Sequence, residues 1–171
     1  PLHSLGKLET LLIQIAGITK DADIDLSKRG LIAMCADNGV VEEGVTQTGQ
    51  EVTAIVAENF LKYDTSVGVM CKQSHTEIFP VDMGMVTDTK VRTDHKVAYG
   101  TQNMTKGPAM TRDQAVKGIE GGIAMVKELK DKGYKILATG EMGIGNTTTS
   151  SAVASVLLYQ PVEEMTGRGA G

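Results

Sequence analysis

Three short, largely apolar runs in this chain each lead into the same signature, an acid, any residue and then a glycine. That repetition constrains the fold more than any other feature. The triplets are Asp37-Asn38-Gly39, Asp82-Met83-Gly84 and Glu141-Met142-Gly143. Residues 31–36 have the length and composition of a buried strand covered on both faces, and 77–81 and 135–138 are read as the second and third strands. Segments with helical spacing lie between them. Strands alternating with helices predict an α/β fold, a largely parallel sheet with flanking helices in three Rossmann-like layers. In open parallel sheets, ligands bind beyond the carboxyl ends of the strands. The three acids would then line one ligand-facing edge, where carboxylates accept hydrogen bonds from ribose hydroxyls. The alternative is that the acids cap the following turns and the glycines merely allow the bend.

The helices are read from caps and periodicity. Ser4 is expected to cap a helix over 5–16, with Leu5, Leu8, Leu12 and Ile15 on one face and Gly17 as the stop. Residues 21–29 and 37–49 read as loops, 50–63 and 66–72 as helices. Residues 83–110 have weak periodicity and several glycines, an irregular stretch longer than a compact domain usually tolerates without a functional reason. Thr111-Arg112-Asp113-Gln114 fits a capping box. The helix after it is expected to present Ala115, Ile119, Ile123, Val126 and Leu129 as its core stripe. An Ala/Ser/Val-rich helix over 147–158 should pack closely against a neighbour.

The most informative segment is Gly140-Glu141-Met142-Gly143-Ile144-Gly145-Asn146-Thr147-Thr148-Thr149, a glycine loop between a strand and a helix. Glycines let the backbone approach an anion, and a helix start offers free N–H groups and partial positive charge. Thr147 and Thr148 add hydroxyls, so the chemistry suits a phosphate monoester. The spacing approaches a Walker A loop, but Asn146 stands where its lysine would be, which argues against triphosphate hydrolysis. The dinucleotide fingerprint fails as well, with Thr148 at its last glycine. A tight strand-to-helix turn is the plain alternative.

The remaining composition excludes whole classes. Seventeen basic against 21 acidic residues give a net charge of −4, which argues against a nucleic-acid surface. No apolar run approaches a membrane span. Cys35 and Cys71 are expected to be buried thiols of a cytoplasmic protein, although their number also allows one disulfide. His3, His75 and His95 lack metal-ligand spacing, so no metal and no cofactor are expected. The start at Pro1 is neither a signal peptide nor a native Met. The nine methionines read as core filler.

Taken in order, several of these strings resemble one family. They are Ser4-Leu5-Gly6-Lys7-Leu8-Glu9, Ala36-Asp37-Asn38-Gly39-Val40, Gly44-Val45-Thr46, Gln50-Glu51-Val52-Thr53, Val81-Asp82-Met83-Gly84, Gly107-Pro108-Ala109-Met110-Thr111, the glycine loop, and Gly167-Arg168-Gly169. Together they resemble the nicotinate-nucleotide:dimethylbenzimidazole phosphoribosyltransferases over nearly the whole chain. The resemblance implies a single α/β domain over 1–171. It also implies transfer of the phosphoribosyl group of nicotinate mononucleotide to a benzimidazole-type nitrogen, and a homodimer. Glu141, Met142, Gly143, Ile144, Gly145, Asn146, Thr147, Arg168 and Gly169 would bind the phosphoribosyl group, and Asp37, Asn38, Thr46 and Gln50 would border the base. The sequence departs from the family where Asn38 replaces a frequent His, Thr48-Gly49 an aromatic-Pro pair, and Ala170 a Thr.

The family's general base, a glutamate, falls beyond Gly171, and a short segment before Pro1 is also expected to be missing. The catalytic residue is therefore unknown within this chain, which reads as a fragment, a cleaved product or half of a split enzyme, inactive alone and associated with the remainder of the domain. Two competing readings are a nucleotide-monophosphate-binding module without turnover and a phosphate-loop kinase. The second is weakened by Asn146 and by the lack of a magnesium-binding motif.

Overall fold

A computed structural model describes residues 3–169; the readings made at Pro1, Ala170 and Gly171 lie outside the described residues. Three strands form one parallel sheet, β1 (Arg29–Ala36), β2 (Thr76–Gly84) and β3 (Ile136–Met142), in the order β2-β1-β3. The α/β expectation therefore holds. β1 is the central strand, and its apolar run is buried on both faces, with Ile32, Ala33 and Cys35 in the core. Because Cys35 stands beside Asp82 on one side and Met142 on the other, all three acid-x-glycine triplets reach the same edge of the sheet.

Helices cover the two faces unequally. On one face α2 (Glu51–Phe60) and α3 (Ser66–Gln73) bring Ala57, Phe60 and Cys71 against Ala33, Cys35 and Ile78. Thr65 caps α3, its Oγ1 accepting from Gly68 N–H at 2.9 Å. On the other face α4 (Arg112–Asp131) sets Met125 and Leu129 against Ile32 and Val81. The Thr111 capping box forms as read: Gln114 N–H donates to Thr111 Oγ1 and Thr111 N–H to Gln114 Oε1. Both cysteines are free thiols in the same apolar cluster. Burial pushes the Cys35 thiol up to about 12, and the nearby Asp82 and Glu141 charges add to the shift.

Several boundaries and faces differ from expectation. The first helix, α1 (Lys7–Thr19), begins after Gly6 rather than Ser4. The Glu9 carboxylate accepts the His3 and Leu5 N–H groups and supplies the cap from inside. Gly17 does not stop it, because an interior glycine costs only about 1 kcal/mol; it ends where Lys20 turns left-handed and bonds back to Ala16. No residue of α1 is buried, so its leucine face lacks cover among the described residues.

The expected stripe on α4 is also displaced. The buried face is Gly121, Met125 and Leu129, while Ile119, Ile123 and Val126 point outward. The helix comes closest at Gly121, where a Cβ would lie 3.0 Å from the Met83 methyl and 3.3 Å from His95. A glycine contact, invisible to a hydrophobicity pattern, chose the face. Similarly, α5 (Asn146–Leu158) buries only Ser155 and leaves Val156 and Leu157 exposed. A last short helix, α6 (Val162–Met165), leads to the closing segment.

Residues 37–49 contain a 3-10 helix, Gly39–Glu43. Residues 85–110 hold neither helix nor regular strand, as expected, yet they are firmly tied to the sheet. Asp82 N–H donates to the Arg92 carbonyl (2.8 Å), Val97 N–H to Met83 (2.9 Å), Gly100 N–H to Gly84 (3.0 Å) and Thr101 N–H to Asp37 (3.1 Å).

Candidate phosphate-binding edge of the sheet

The shared edge does not present three equivalent carboxylates. Asp37 and Asp82 are wholly buried. Asp37 Oδ2 accepts from Val86 N–H at 2.8 Å, and Asp82 Oδ1 from Met85 N–H at 2.7 Å. Asp82 Oδ2 also faces Lys96 Nζ at 3.0 Å. Burial alone would lower the Lys96 ammonium, but the bond and charge of Asp82, with help from Asp88, outweigh it and raise its pKa. Lys96 also lies 3.8 Å above the Tyr99 ring. These two acids hold the irregular loop, so the expectation that all three line a ligand edge is corrected here: two serve the turns.

Glu141 is different. It lies at the exposed end of β3, an edge strand, and one oxygen accepts from Asn146 Nδ2. Desolvation by its neighbours raises its carboxyl above the ordinary value, against the lowering effect of Asn146. The following loop, 143–145, is built from close approaches. A Cβ on Gly143 would sit 2.3 Å from the Ala36 carbonyl, so only glycine fits there. Gly145 has φ +85°, a left-handed conformation in which a side chain is strained, and its Cα abuts Val41. Asn146 then opens α5, its N–H returning to Gly143 at 3.0 Å.

The start of α5 is open. Among the described residues, the N–H groups of Gly145, Thr147 and Thr148 make no hydrogen bond. Such unsatisfied donors at a helix start form an anion site when glycines let the anion approach. The closing segment comes back over this turn, since Gly169, at φ +63°, lies against Thr147, where a Cβ would stand 2.9 Å from Oγ1. Arg168 immediately precedes it on the surface. Glu141 to Thr147, together with Gly169, are thus brought to one place.

The residues expected around a base divide. Gln50 borders a cleft of about 360 Å³ with Val41, Glu42, Val86 and Gln102. Its Nε2 donates to the Asn38 carbonyl at 3.0 Å. Thr46 lies in the neighbouring loop, its hydroxyl donating to the Thr48 carbonyl at 2.6 Å. Asn38 points to the glycine loop, its Nδ2 donating to the Ile144 carbonyl at 3.1 Å. Asp37 is wholly buried and does not line this cleft.

Two features escaped the sequence reading. Thr53, fully buried in α2, accepts the Ile144 N–H at 3.0 Å. Its signal was a polar residue inside an apolar helical stripe. A larger, mainly apolar cleft of about 570 Å³ lies between Ala36 and Gly84 at the strand ends, the 97–102 segment and the first half of α4. The long irregular stretch was its only trace in the sequence. Among the described residues no cluster of three His, Cys, Asp or Glu side chains could hold a metal. Among the described residues no helix is long and apolar enough to cross a membrane.

A family model described as phosphoribosyltransferase matches residues 1–171. A nicotinate-nucleotide--dimethylbenzimidazole phosphoribosyltransferase of Ruminiclostridium cellulolyticum is 50% identical over all of this chain and 49% of its own length. The protein of the same name from Clostridium acetobutylicum is likewise 50% identical over the whole chain. The crystal structure of CobT from Thermus thermophilus superposes with a TM-score of 0.91 at 33% identity, covering 100% of this chain and 52% of that one. The chain therefore spans about half the length of the relatives it matches. Over that half, sequence and fold together show that the chain belongs to the nicotinate-nucleotide:dimethylbenzimidazole phosphoribosyltransferase family.

Proposed function

We propose that this chain supplies the phosphoribosyl site of an enzyme transferring ribose phosphate from nicotinate mononucleotide to 5,6-dimethylbenzimidazole or a related base. In the reaction the bond from the anomeric carbon to the nicotinate nitrogen breaks, a bond to the benzimidazole nitrogen forms, and the benzimidazole N–H proton is released. The products are α-ribazole phosphate and nicotinate. The observation that carries the reading is the set of open N–H groups at Gly145, Thr147 and Thr148, reached through glycines and flanked by Glu141. The phosphate takes those donors and the hydroxyls of Thr147 and Thr148, and the segment at Arg168 and Gly169 closes over it. Glu141 accepts hydrogen bonds from the ribose or from ordering groups. Gln50, with Thr46 nearby, borders the base, and Asp37 and Asn38 form the wall behind it.

The proton acceptor is assigned to the half of the relatives that this chain does not match. Asp37 and Asp82 are wholly buried, each accepting a backbone N–H through one oxygen, and Glu141 is engaged with Asn146. A base must lie within hydrogen-bond reach of the proton it takes. Alone, the chain binds nucleotide without turnover. The exposed apolar faces of α1, α4 and α5 are covered by the other half of the domain or by a second copy in a cytoplasmic homodimer.

Isothermal titration with nicotinate mononucleotide tests the site. Gly145→Asp places a carboxylate beside the phosphate at a left-handed position and should abolish binding. Unchanged affinity in a folded variant overturns the reading. Turnover of both substrates by these 171 residues alone, at a rate typical of an enzyme, would promote one of the three acids to base.

A further inference from the structure

We propose that Thr53 and Asn38 are positioning residues that clamp the glycine loop from both sides of its central residue, an inference that rests on this loop being the phosphoribosyl site. Ile144 has one backbone donor and one backbone acceptor, in the two peptide units it joins, and each is taken by a side chain from a different element. Its N–H goes to Thr53 Oγ1 on α2 at 3.0 Å, and its carbonyl takes Asn38 Nδ2 from the end of β1 at 3.1 Å. Asn38 is itself fixed at two further points. Its Oδ1 accepts from Thr149 Oγ1 on α5 at 3.0 Å, and its carbonyl accepts Gln50 Nε2 at 3.0 Å. One chain of bonds thus runs from α2 through the loop to the first turn of α5.

The need for such a clamp follows from the loop's composition. Gly143 and Gly145 flank Ile144, and glycine segments lose more conformational freedom on ordering than any others. A loop ordered only by its ligand spends binding energy on that ordering, whereas a preformed one does not. With the Ile144 N–H committed to Thr53, the donors left for the ligand are those of Gly145, Thr147 and Thr148, held in one arrangement. Thr53 and Asn38 touch the loop, and through it they act on the phosphate. Asn38 therefore governs the phosphoribosyl side of the site rather than the choice of base.

The test uses the whole chain and isothermal titration with nicotinate mononucleotide. Thr53→Val keeps the shape and removes the acceptor, leaving the buried Ile144 N–H unsatisfied. Affinity should fall about tenfold, which is 1.4 kcal/mol. Thr53→Ser restores the oxygen and should restore affinity, which a packing role would not require, since serine lacks the methyl that valine keeps. Asn38→Ala provides a second route should Thr53→Val fail to fold, with the same expected loss. Wild-type affinity in Thr53→Val or Asn38→Ala, or failure of Thr53→Ser to rescue, overturns the clamp while leaving the phosphoribosyl site standing. A wild-type chain that does not bind the nucleotide overturns both.

Discussion

The ends of β1 and β2 and the end of β3 carry the same acid-x-glycine pattern and do opposite things. At β1 and β2 the acids turn inward. Asp37 and Asp82 take the N–H groups of Val86 and Met85, and Lys96 compensates Asp82, so these ends fasten the irregular loop. At β3 the acid stays outside, Gly143 lies against the Ala36 carbonyl of β1, and a helix starts with open donors. Each buried acid accepts a loop N–H of its own protein, whereas the exposed one stands beside the open N–H groups of a helix start. Both are edge strands, and the difference lies in what borders them. β2 is backed by the 85–110 segment, whereas no strand pairs with the outer rim of β3 among the described residues.

Lys96→Met is the severest way to break this contrast. Leaving Asp82 buried without its cation should cost about 3–5 kcal/mol, read as a fall in the chemical unfolding midpoint. Nucleotide affinity measured on the remaining folded fraction should hardly change. A large loss of affinity without loss of stability would place the β2 end in the ligand site. Glu141→Gln is the mirror image. It should leave stability nearly untouched and weaken nucleotide binding by about 1.5–3 kcal/mol, the worth of a hydrogen bond to a charged group. Full affinity in that variant would remove Glu141 from the site.

Gly143→Ala sharpens the comparison at the backbone. A Cβ 2.3 Å from the Ala36 carbonyl forces β1 and β3 apart at their ends, at about 1–3 kcal/mol of stability. Gly107→Ala, where a Cβ meets nothing within 4 Å, is the control and should be silent in the same melt.

The smallest expected effects are in pH. The Glu141 carboxyl lies above its ordinary 4.5 because of desolvation. Its contribution to stability is therefore present below that value and lost as pH rises through the higher folded one. Glu128 runs the other way. Bonds from Arg92 and then Lys132 hold it down at about 2, so its contribution is present above 4.5 and fades as pH falls toward 2. Carboxyl carbon shifts in an NMR titration would check both, and an ordinary midpoint for Glu128 would remove the Arg92 bridge.

Much of this was readable before any coordinates. The strands followed from short apolar runs, the α4 start from Thr111 and Gln114, and the glycine loop from its position between strand and helix. What could not be read depended on contacts at a distance. Gly121, rather than the branched residues of α4, decides which face is buried, because close approach needs the absence of a side chain. The inward turn of Asp37 and Asp82 is set by the N–H groups of Met85 and Val86, which reach them only through the folded irregular loop. Thr53 looked like one more helical position, since its partner Ile144 is 91 residues away in sequence.

The central claim is that the phosphate of the ligand is held at the end of β3 and the turn into α5, and not at the ends of β1 and β2. Backbone amide NMR during titration with nicotinate mononucleotide tests it most directly. The account predicts that the largest shifts fall on Gly143, Gly145, Thr147 and Thr148, with Met85 nearly still. Shifts centred on Met85 or the cleft beside α4, or no shifts at all, would contradict it.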